Sequence, residues 1–374
     1  MVKMTWWLGW CWLLVSTALG ATEPILVGQT ADFSGVAGAQ MRDFNAGANL
    51  VLGQVNQHGG VQGRAIKLLS LDDGLTAERA ARNARQLIAQ DHVIALFGTR
   101  GTDPSAAALK VAEAAGVPIV APVTGSDLVR QSPLVFPVRT HYRSEVDHML
   151  RHMSLVPTRL AVLVQDDHFG RPLAGYIAEE VSARHKSIAL VAQAYFERLS
   201  TDMKDKAAAI LASRPQAVIA LCNPGSCAAF VAELTRQVKA SGQPYPRLYQ
   251  TSISDIYGQF RELGPDIVAG QTYSQILPDP RRTLSHLSRE FGEAASMGQV
   301  APTYRAFEGY VAAKVLVKGL QRAPSLSPAG LVRGLESLGR IDLGGLYLRY
   351  EPGLHEGCTY VELVSMDERG QIRR

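Results

Sequence analysis

The sequence predicts an α/β protein of two lobes, each a mainly parallel β-sheet flanked by helices. Three observations predict it. Short apolar runs of strand length alternate with helical periods along nearly the whole chain, the pattern of repeated βα units. Many of those runs are apolar throughout rather than alternating, as strands covered on both faces are. The chain has 374 residues, too long for one ordinary domain and suited to two of roughly 150 to 180.

The clearest stretch is LFGTRGTDPSAAALKVAEAAGVPIVAPVTGS, from Leu96 to Ser126. Residues 93–97 read as a buried strand that stops at Gly98. A small polar turn follows, Thr99-Arg100-Gly101-Thr102-Asp103. Pro104 suits the first turn of a helix, where its missing N–H would have no partner. That helix runs to Ala115 and stops at Gly116. Residues 117–121 form the next strand, and Val123-Thr124-Gly125-Ser126 lies just beyond it. Ligands of open parallel sheets bind outside the carboxyl ends of the strands. Two neighbouring turns rich in hydroxyls and glycine make a wall of N–H and O–H donors there, suited to a carboxylate or another acceptor-rich group.

The other elements follow in order. Residues 25–28 are the first strand, with Asp32-Phe33-Ser34-Gly35 as its terminal turn. A helix over 39–58 places Phe44, Ala48, Val51, Leu52 and Val55 on one face, and Gly59-Gly60 stops it. Residues 65–72 are the second strand, and Thr76 caps the next helix. Residues 134–138 are the fifth strand, and the chain leaves the first lobe near Arg139-Thr140. The second lobe repeats the alternation, with strands at 160–164, 188–194, 217–221 and 247–250. Its helices begin near His168, Asp202, Gly225 and Asp255. A strand at 268–274 returns the chain to the first lobe. Helices at 281–296, 302–321 and 328–338 follow, then a closing hairpin of 346–350 with 359–364.

Composition narrows the function. Hydrophobic residues make up 47% and charged residues 19%, enough apolar material for two cores. The net charge of +4 is small and no long basic run occurs, so nucleic-acid binding has no support. Lys3 is the only charge in the first twenty residues, and the 14 residues of 6–19 are uncharged and mostly apolar. This reads as a secretory signal peptide cleaved after Gly20. The alternative is an uncleaved anchor, but the run is short of the roughly 20 residues that span a bilayer. Trp10 is too large to precede a lipidated cysteine at Cys11. The mature chain keeps Cys222, Cys227 and Cys358. One disulfide with one free thiol, or three buried thiols, both remain open.

Four further segments stand around the Leu96–Ser126 stretch: ILVGQTADFSG from Ile25, VNQHGGVQGRAIKLLSLDD from Val55, VQDDHFG from Val164 and FEGYVAAKVL from Phe307. Together, and in this order, they resemble the periplasmic solute-binding proteins of the leucine/isoleucine/valine-binding type, which feed ABC importers. The resemblance implies a type I periplasmic-binding-protein-like fold with a three-crossover hinge. The lobes would be 21–139 plus 273–344 and 140–272 plus 345–374, the closing hairpin falling in the second. It further implies a small-molecule solute in the interlobe cleft, a membrane permease as partner, a periplasmic location, a monomer, no cofactor and no enzymatic activity. A ligand sensor presenting its solute to a membrane receptor is the alternative on the same scaffold.

The candidate ligand-binding residues are Ser34, Arg100, Gly101, Thr102, Val123, Thr124, Gly125, Ser126, Phe169 and Asn223. Thr102, Thr124 and Ser126 offer hydroxyls, and Gly101 and Gly125 backbone N–H groups; as helix caps they would serve structure alone. Arg100 is either a two-pronged carboxylate clamp or a surface arginine. Ser34, with Phe33, stands at the cleft rim. Phe169 matches a family aromatic that covers the ligand from the second lobe, and Asn223 adds a side-chain amide there. Tyr304 lies near another family aromatic, with core packing the stronger reading. One departure bears on the ligand. Branched-chain amino-acid binders hold the ammonium with an acidic residue after the strand ending here at Gln250-Thr251. This chain has Ser252-Ile253-Ser254 there. Unless Asp255 or Asp72 takes that part, a buried ammonium would lack a partner, and a carboxylate, amide or urea-like solute fits as well. No GxSxG, GxxxxGK[ST] or HExxH motif is present. Asp72-Asp73 and Asp166-Asp167 read as turn and capping residues. Glu145, His148 and His152 share a helix face and read as solvated rather than as a metal site.

Overall fold

The structure is a computed structural model and describes residues 23–35 and 37–374. The expected signal peptide lies outside these residues. The first sheet contains β1 (Ile25–Ala31), β2 (Ile66–Asp72), β3 (Leu96–Phe97), β4 (Ile119–Val120) and β5 (Val135–Phe136), all parallel, in the order β2-β1-β3-β4-β5. The second contains β6 (Thr158–Gln165), β7 (Ile188–Phe196), β8 (Ala217–Leu221), β9 (Arg247–Gln250) and β10 (Thr272–Gln275), parallel in the order β7-β6-β8-β9-β10. Each lobe therefore carries the same order, 2-1-3-4-5 when its own parallel strands are numbered from one. The order reverses between β1 and β3 and between β6 and β8, and the carboxyl ends of strands at such switch points are where open α/β sheets bind ligands.

Helices cover both faces of each sheet. In the first lobe α1 (Gly38–Gln57), α11 (His286–Met297), α12 (Tyr304–Arg322) and α13 (Pro328–Glu336) supply one core, around Phe44, Phe97, Phe291 and Phe307. On the other face α2 (Ala77–Ala89), α3 (Thr102–Ala115) and α4 (Asp127–Arg130) pack around Leu87, Leu109 and Val129. In the second lobe α5 (Tyr142–Met153) and α6 (Gly170–Ala183) cover one face, and α7 (Lys204–Ala212) and α8 (Pro224–Ser241) the other. Beyond β9, α9 (Ile256–Leu263) and α10 (Pro265–Val268) pack on the edge carrying β14 (Glu362–Met366) and β15 (Ile372–Arg373). The α1–α12 contact is close because glycines meet backbone there. A Cβ on Gly47 would fall 1.7 Å from the Ala306 carbonyl oxygen, and one on Gly309 1.8 Å from that of Phe44.

The C-terminal segment departs from expectation. Residues 346–350 and 359–364 do not form a hairpin. Instead β12 (Tyr347–Glu351) pairs antiparallel with β11 (Gly339–Asp342) and β13 (Leu354–Glu356), and the later strand β14 joins β10 in the second sheet. Leu346, Leu348 and Tyr350 alternate toward one face and enter the first lobe's core, where Cys358 also lies. The Tyr350 hydroxyl donates to the Pro137 carbonyl at 2.7 Å. The last crossing to the second lobe thus falls between Cys358 and Glu362 rather than at 345. The second follows β10, since Gln275 pairs with β14 while Ile276 and Leu277 belong to the first core. Thr76 holds its expected position before α2, but its hydroxyl donates back to the Asp73 carbonyl at 2.9 Å instead of capping the helix.

Of the two possibilities for the cysteines, the structure has a Cys222–Cys227 disulfide, at the end of β8, and a buried free Cys358. Burial pushes the Cys358 thiol up to about 11. No helix among the described residues is long and apolar enough to cross a membrane.

Candidate functional site

The wall on the first lobe is built by the turns after β3 and β4. Gly101 precedes α3 with a φ of 83°, a conformation that only glycine adopts freely, and this brings Thr102 to the start of the helix. Thr102 and Thr124 are buried, and their hydroxyls lie 3.1 Å apart in a hydrogen bond. Arg100 and Val123 pair through their backbones and join the two turns. Gly125 is buried, its carbonyl accepting the Tyr142 N–H at 3.1 Å. Ser126 caps α4 by accepting from the Leu128 N–H at 3.3 Å.

The second lobe faces this wall with Tyr142 and Phe169. Their rings meet edge to face at 4.9 Å. Together with Gly125, Ser126, Leu128, Pro172 and Leu173 they line a crevice of about 150 Å³. Contacts bridge the lobes around it. His168 pairs with Asp103 at 2.6 Å, Arg198 donates to the Leu75 carbonyl at 2.6 Å, and Gln40 donates to the Ile253 carbonyl at 3.4 Å.

Behind the wall lies a buried charge network that joins the lobes. Arg139 Nε donates to Glu308 at 3.0 Å and Nη2 to the Ser252 hydroxyl at 3.1 Å; Arg305 forms an ion pair with the same Glu308. Glu145 accepts from the Ser252 N–H at 2.8 Å and from the Ser252 and Ser274 hydroxyls at 3.1 and 2.5 Å. Arg100 is fully buried and donates through Nη2 to Gln40 at 3.0 Å, while Nε and Nη1 have no acceptor among the described residues. Arg139 Nη1, Arg305 Nε and the hydroxyls of Tyr142 and Thr251 are likewise buried without partners. Burial raises the Glu308 carboxyl, but the guanidiniums of Arg139 and Arg305 outweigh it and hold the group below its usual value. Burial, with Arg305 and Arg139 nearby, pushes Arg100 down to about 10, where it is still a cation at neutral pH.

The sequence candidates divide accordingly. Arg100, Gly101, Thr102, Val123, Thr124, Gly125, Ser126 and Phe169 are joined by this chain of contacts. Ser34 stands apart: it is exposed, and its hydroxyl donates to Asp72 at 2.9 Å. The Asn223 amide donates to Gln165 at 2.9 Å, within the second lobe. The Tyr304 ring stacks on Tyr257 at 5.7 Å. Glu145 corrects the reading of a solvated helix face, since it is fully buried in the network; His152 contacts the Tyr249 hydroxyl. No group of metal-holding residues occurs among the described residues. Tyr142, Arg139, Arg305 and Glu308 were not among the candidates. The available signal was the pair of charges at Arg305 and Glu308, three apart on a helix otherwise apolar on that face.

The two acids proposed for an ammonium differ: Asp255 lines a pocket with Gln40, Ser252 and Arg305, and Asp72 is held by its own turn. Asp255 accepts from the Gly258 N–H at 3.0 Å. Asp72 accepts from the Phe33 and Ser34 N–H groups and from Arg79. Burial acts against these bonds, but they prevail and hold Asp72 at about 2. Asp73 behaves oppositely. Burial, helped by Asp32 and Asp72, pushes its carboxyl up to about 6 against bonds from Leu75 and Thr30. The folded chain then holds this proton more tightly than the unfolded chain, so its contribution to stability is full below about pH 4 and lost as pH rises to about 6. Asp73→Asn is expected to abolish that part of the decline, read as denaturant midpoints across this window. A slope equal to the parent's would refute the assignment.

The profile of the periplasmic binding protein family matches residues 24–365. Leu/Ile/Val-binding protein homolog 7 of Brucella suis is 26% identical over 202 residues, covering 51% of this chain and 50% of that protein. The chain thus spans about half the length of the curated relatives it matches. A substrate-binding periplasmic protein from Ralstonia solanacearum superposes with a TM-score of 0.85 at 29% identity, over 93% of this chain and 99% of that one. A possible leucine/isoleucine/valine-binding protein from Rhodopirellula baltica gives 0.86 at 22% identity, over 96% and 98%, a likeness of fold. This chain belongs to the periplasmic binding protein family, with the two-lobe type I fold of its Leu/Ile/Val-binding relatives.

Proposed function

We propose that the protein is the solute-binding component of an ABC importer, secreted to the periplasm through a cleaved signal peptide. It captures a small polar solute between its lobes and presents the closed form to a membrane permease. The observation that carries this reading is the set of buried, unpartnered donors behind two facing ligand-binding edges. Arg100, Tyr142 and Thr251 hold buried polar atoms that have no partner among the described residues. Such groups are costly unless a ligand completes them. Thr102, Thr124 and Gly125 provide the first-lobe contacts, and Phe169 with Tyr142 closes from the other side. The three passages of the chain between the sheets act as the hinge. A ligand favours the closed state by the contacts it makes only there. The Cys222–Cys227 disulfide fits an oxidising compartment.

The test is a thermal-shift screen of residues 21–374 against amino acids, small amides, urea, and aliphatic and aromatic carboxylates. A ligand at 100 times its dissociation constant stabilises by about 2.7 kcal/mol. A raised midpoint, with a radius of gyration that falls on ligand addition in X-ray scattering, is the expected result. A folded protein indifferent to every solute would overturn the proposal.

A further inference from the structure

We infer that the solute is an organic carboxylate without a paired ammonium, and that Arg100 and the Tyr142 hydroxyl hold its carboxylate. This rests on the solute-binding reading above and names the ligand class.

The argument begins with Arg100. A guanidinium with no exposed surface and a single hydrogen bond, to a neutral Gln40, is an expensive arrangement in an unliganded protein. Its Nε and Nη1 lack acceptors among the described residues, and Glu308 acts on it electrostatically with no ion pair or hydrogen bond between them. The surroundings offer donors rather than acceptors. Arg139 lies with its guanidinium carbon 5.8 Å from the centroid of the Tyr142 ring. Arg139 Nη1, Arg305 Nε and the Tyr142 hydroxyl are all buried and unpartnered. The Tyr142 hydroxyl can give a proton to a carboxylate oxygen, as can each orphan N–H.

Charge makes the same selection. The hydrogen-bonded network contains the cations Arg100, Arg139 and Arg305 and the anions Glu145 and Glu308, while Asp43 and Asp255 stand on its Arg305 side. Both anions are already bound, Glu308 by two guanidiniums and Glu145 by Ser252 and Ser274. A carboxylate gives the orphan donors of Arg100 and Tyr142 an acceptor and gives Arg100 a counter-charge at contact distance. A zwitterionic amino acid also brings an ammonium, for which Glu308 and Glu145 are already occupied and Asp72 is engaged elsewhere, leaving Asp255, whose carboxylate caps α9. An amide offers Arg100 an acceptor but no counter-charge. The crevice beside Tyr142 has Phe169, Pro172 and Leu173 on one side and Asp127, Arg143 and His168 at its polar edge, room for the body of a small organic acid.

The experiment is calorimetric titration with matched sets that differ only in the groups at issue. One set is 4-methylpentanoate, 4-methylpentanamide and leucine; the other is phenylacetate, phenylacetamide and phenylalanine. In at least one set the carboxylate is expected to bind tenfold or more tighter than both companions. Arg100→Met is expected to weaken that carboxylate roughly a hundredfold. It should not lower the melting temperature of the unliganded protein, because it removes an unsatisfied buried charge. The titrations on the unaltered protein stand whether or not the variant folds. Tighter binding of an amino acid or amide would overturn the inference and leave the solute-binding reading intact. Carboxylate affinity unchanged in a folded Arg100→Met protein would also overturn it. No binding of any probe here or in the wider screen would overturn both.

Discussion

Glu308→Gln is expected to destabilise the protein by about 3 to 5 kcal/mol, the cost of breaking a buried ion pair by removing one partner. The carboxylate is the shared counter-ion of Arg139 and Arg305, and all three side chains are at most 8% exposed. Glutamine keeps the shape and one acceptor oxygen but leaves two buried guanidiniums without the carboxylate they share. Water cannot solvate them where they stand, so the network must open or the lobes must part. The pH dependence has a definite sign. The folded glutamate sits below its ordinary value, so its stabilisation is present above the unfolded value and is lost as pH falls through the folded one. Glu308→Gln should therefore lie furthest below the parent near neutrality and converge with it in acid. Urea unfolding at pH 7 and at a series of acid pH values reaching below the depressed carboxyl measures both effects. A loss under 1 kcal/mol at pH 7 would mean that the network contributes little to holding the lobes.

Much of the fold was legible because its strands are buried on both faces. Residues 217–221 read as an apolar run and form β8, every residue of which is buried. The runs around β3, β4 and β5 were read longer than the two-residue ladders found there. Apolarity reports burial, and Val93, Val117 and Val138 are buried without being paired as strand. The C-terminal hairpin was misread for a related reason. Alternation at Leu346, Leu348 and Tyr350 announces a half-buried strand, but the sheet it joins depends on distant partners. The site divides in the same way. Thr102 and Thr124 stood out because each sits in a small polar turn just after a strand. The contact of Arg139 with Glu308 spans 169 residues, and no local pattern announces it. Arg100 was visible as an anomaly among small residues, yet only its burial separates a ligand clamp from a surface arginine.

Replacing Thr102 and Thr124 together by valine is expected to weaken solute binding by roughly a hundredfold or more, with the fold retained. Each hydroxyl bonded to a charged ligand group contributes about 1.5 to 3 kcal/mol, and two such bonds correspond to about two to four powers of ten. The double substitution matters because the two hydroxyls bond each other. A single valine leaves the remaining hydroxyl buried and unpartnered, so its effect mixes lost ligand contact with a local penalty. Valine at both positions removes the pair with nearly the same shape, a change close to neutral for stability. One cost remains, since Thr124 also accepts from the Ser126 N–H at 3.3 Å, but Ser126 is only half-buried and water can take that place. The single variants complete a cycle, and a coupling of 0.5 kcal/mol or more between them is expected for groups in direct contact. Calorimetric titration with the best solute from the screen, beside thermal melts of each variant, separates affinity from folding. An affinity unchanged in the folded double variant would remove these hydroxyls from the binding surface. The ligand's polar end would then rest on Arg100 and Tyr142 alone.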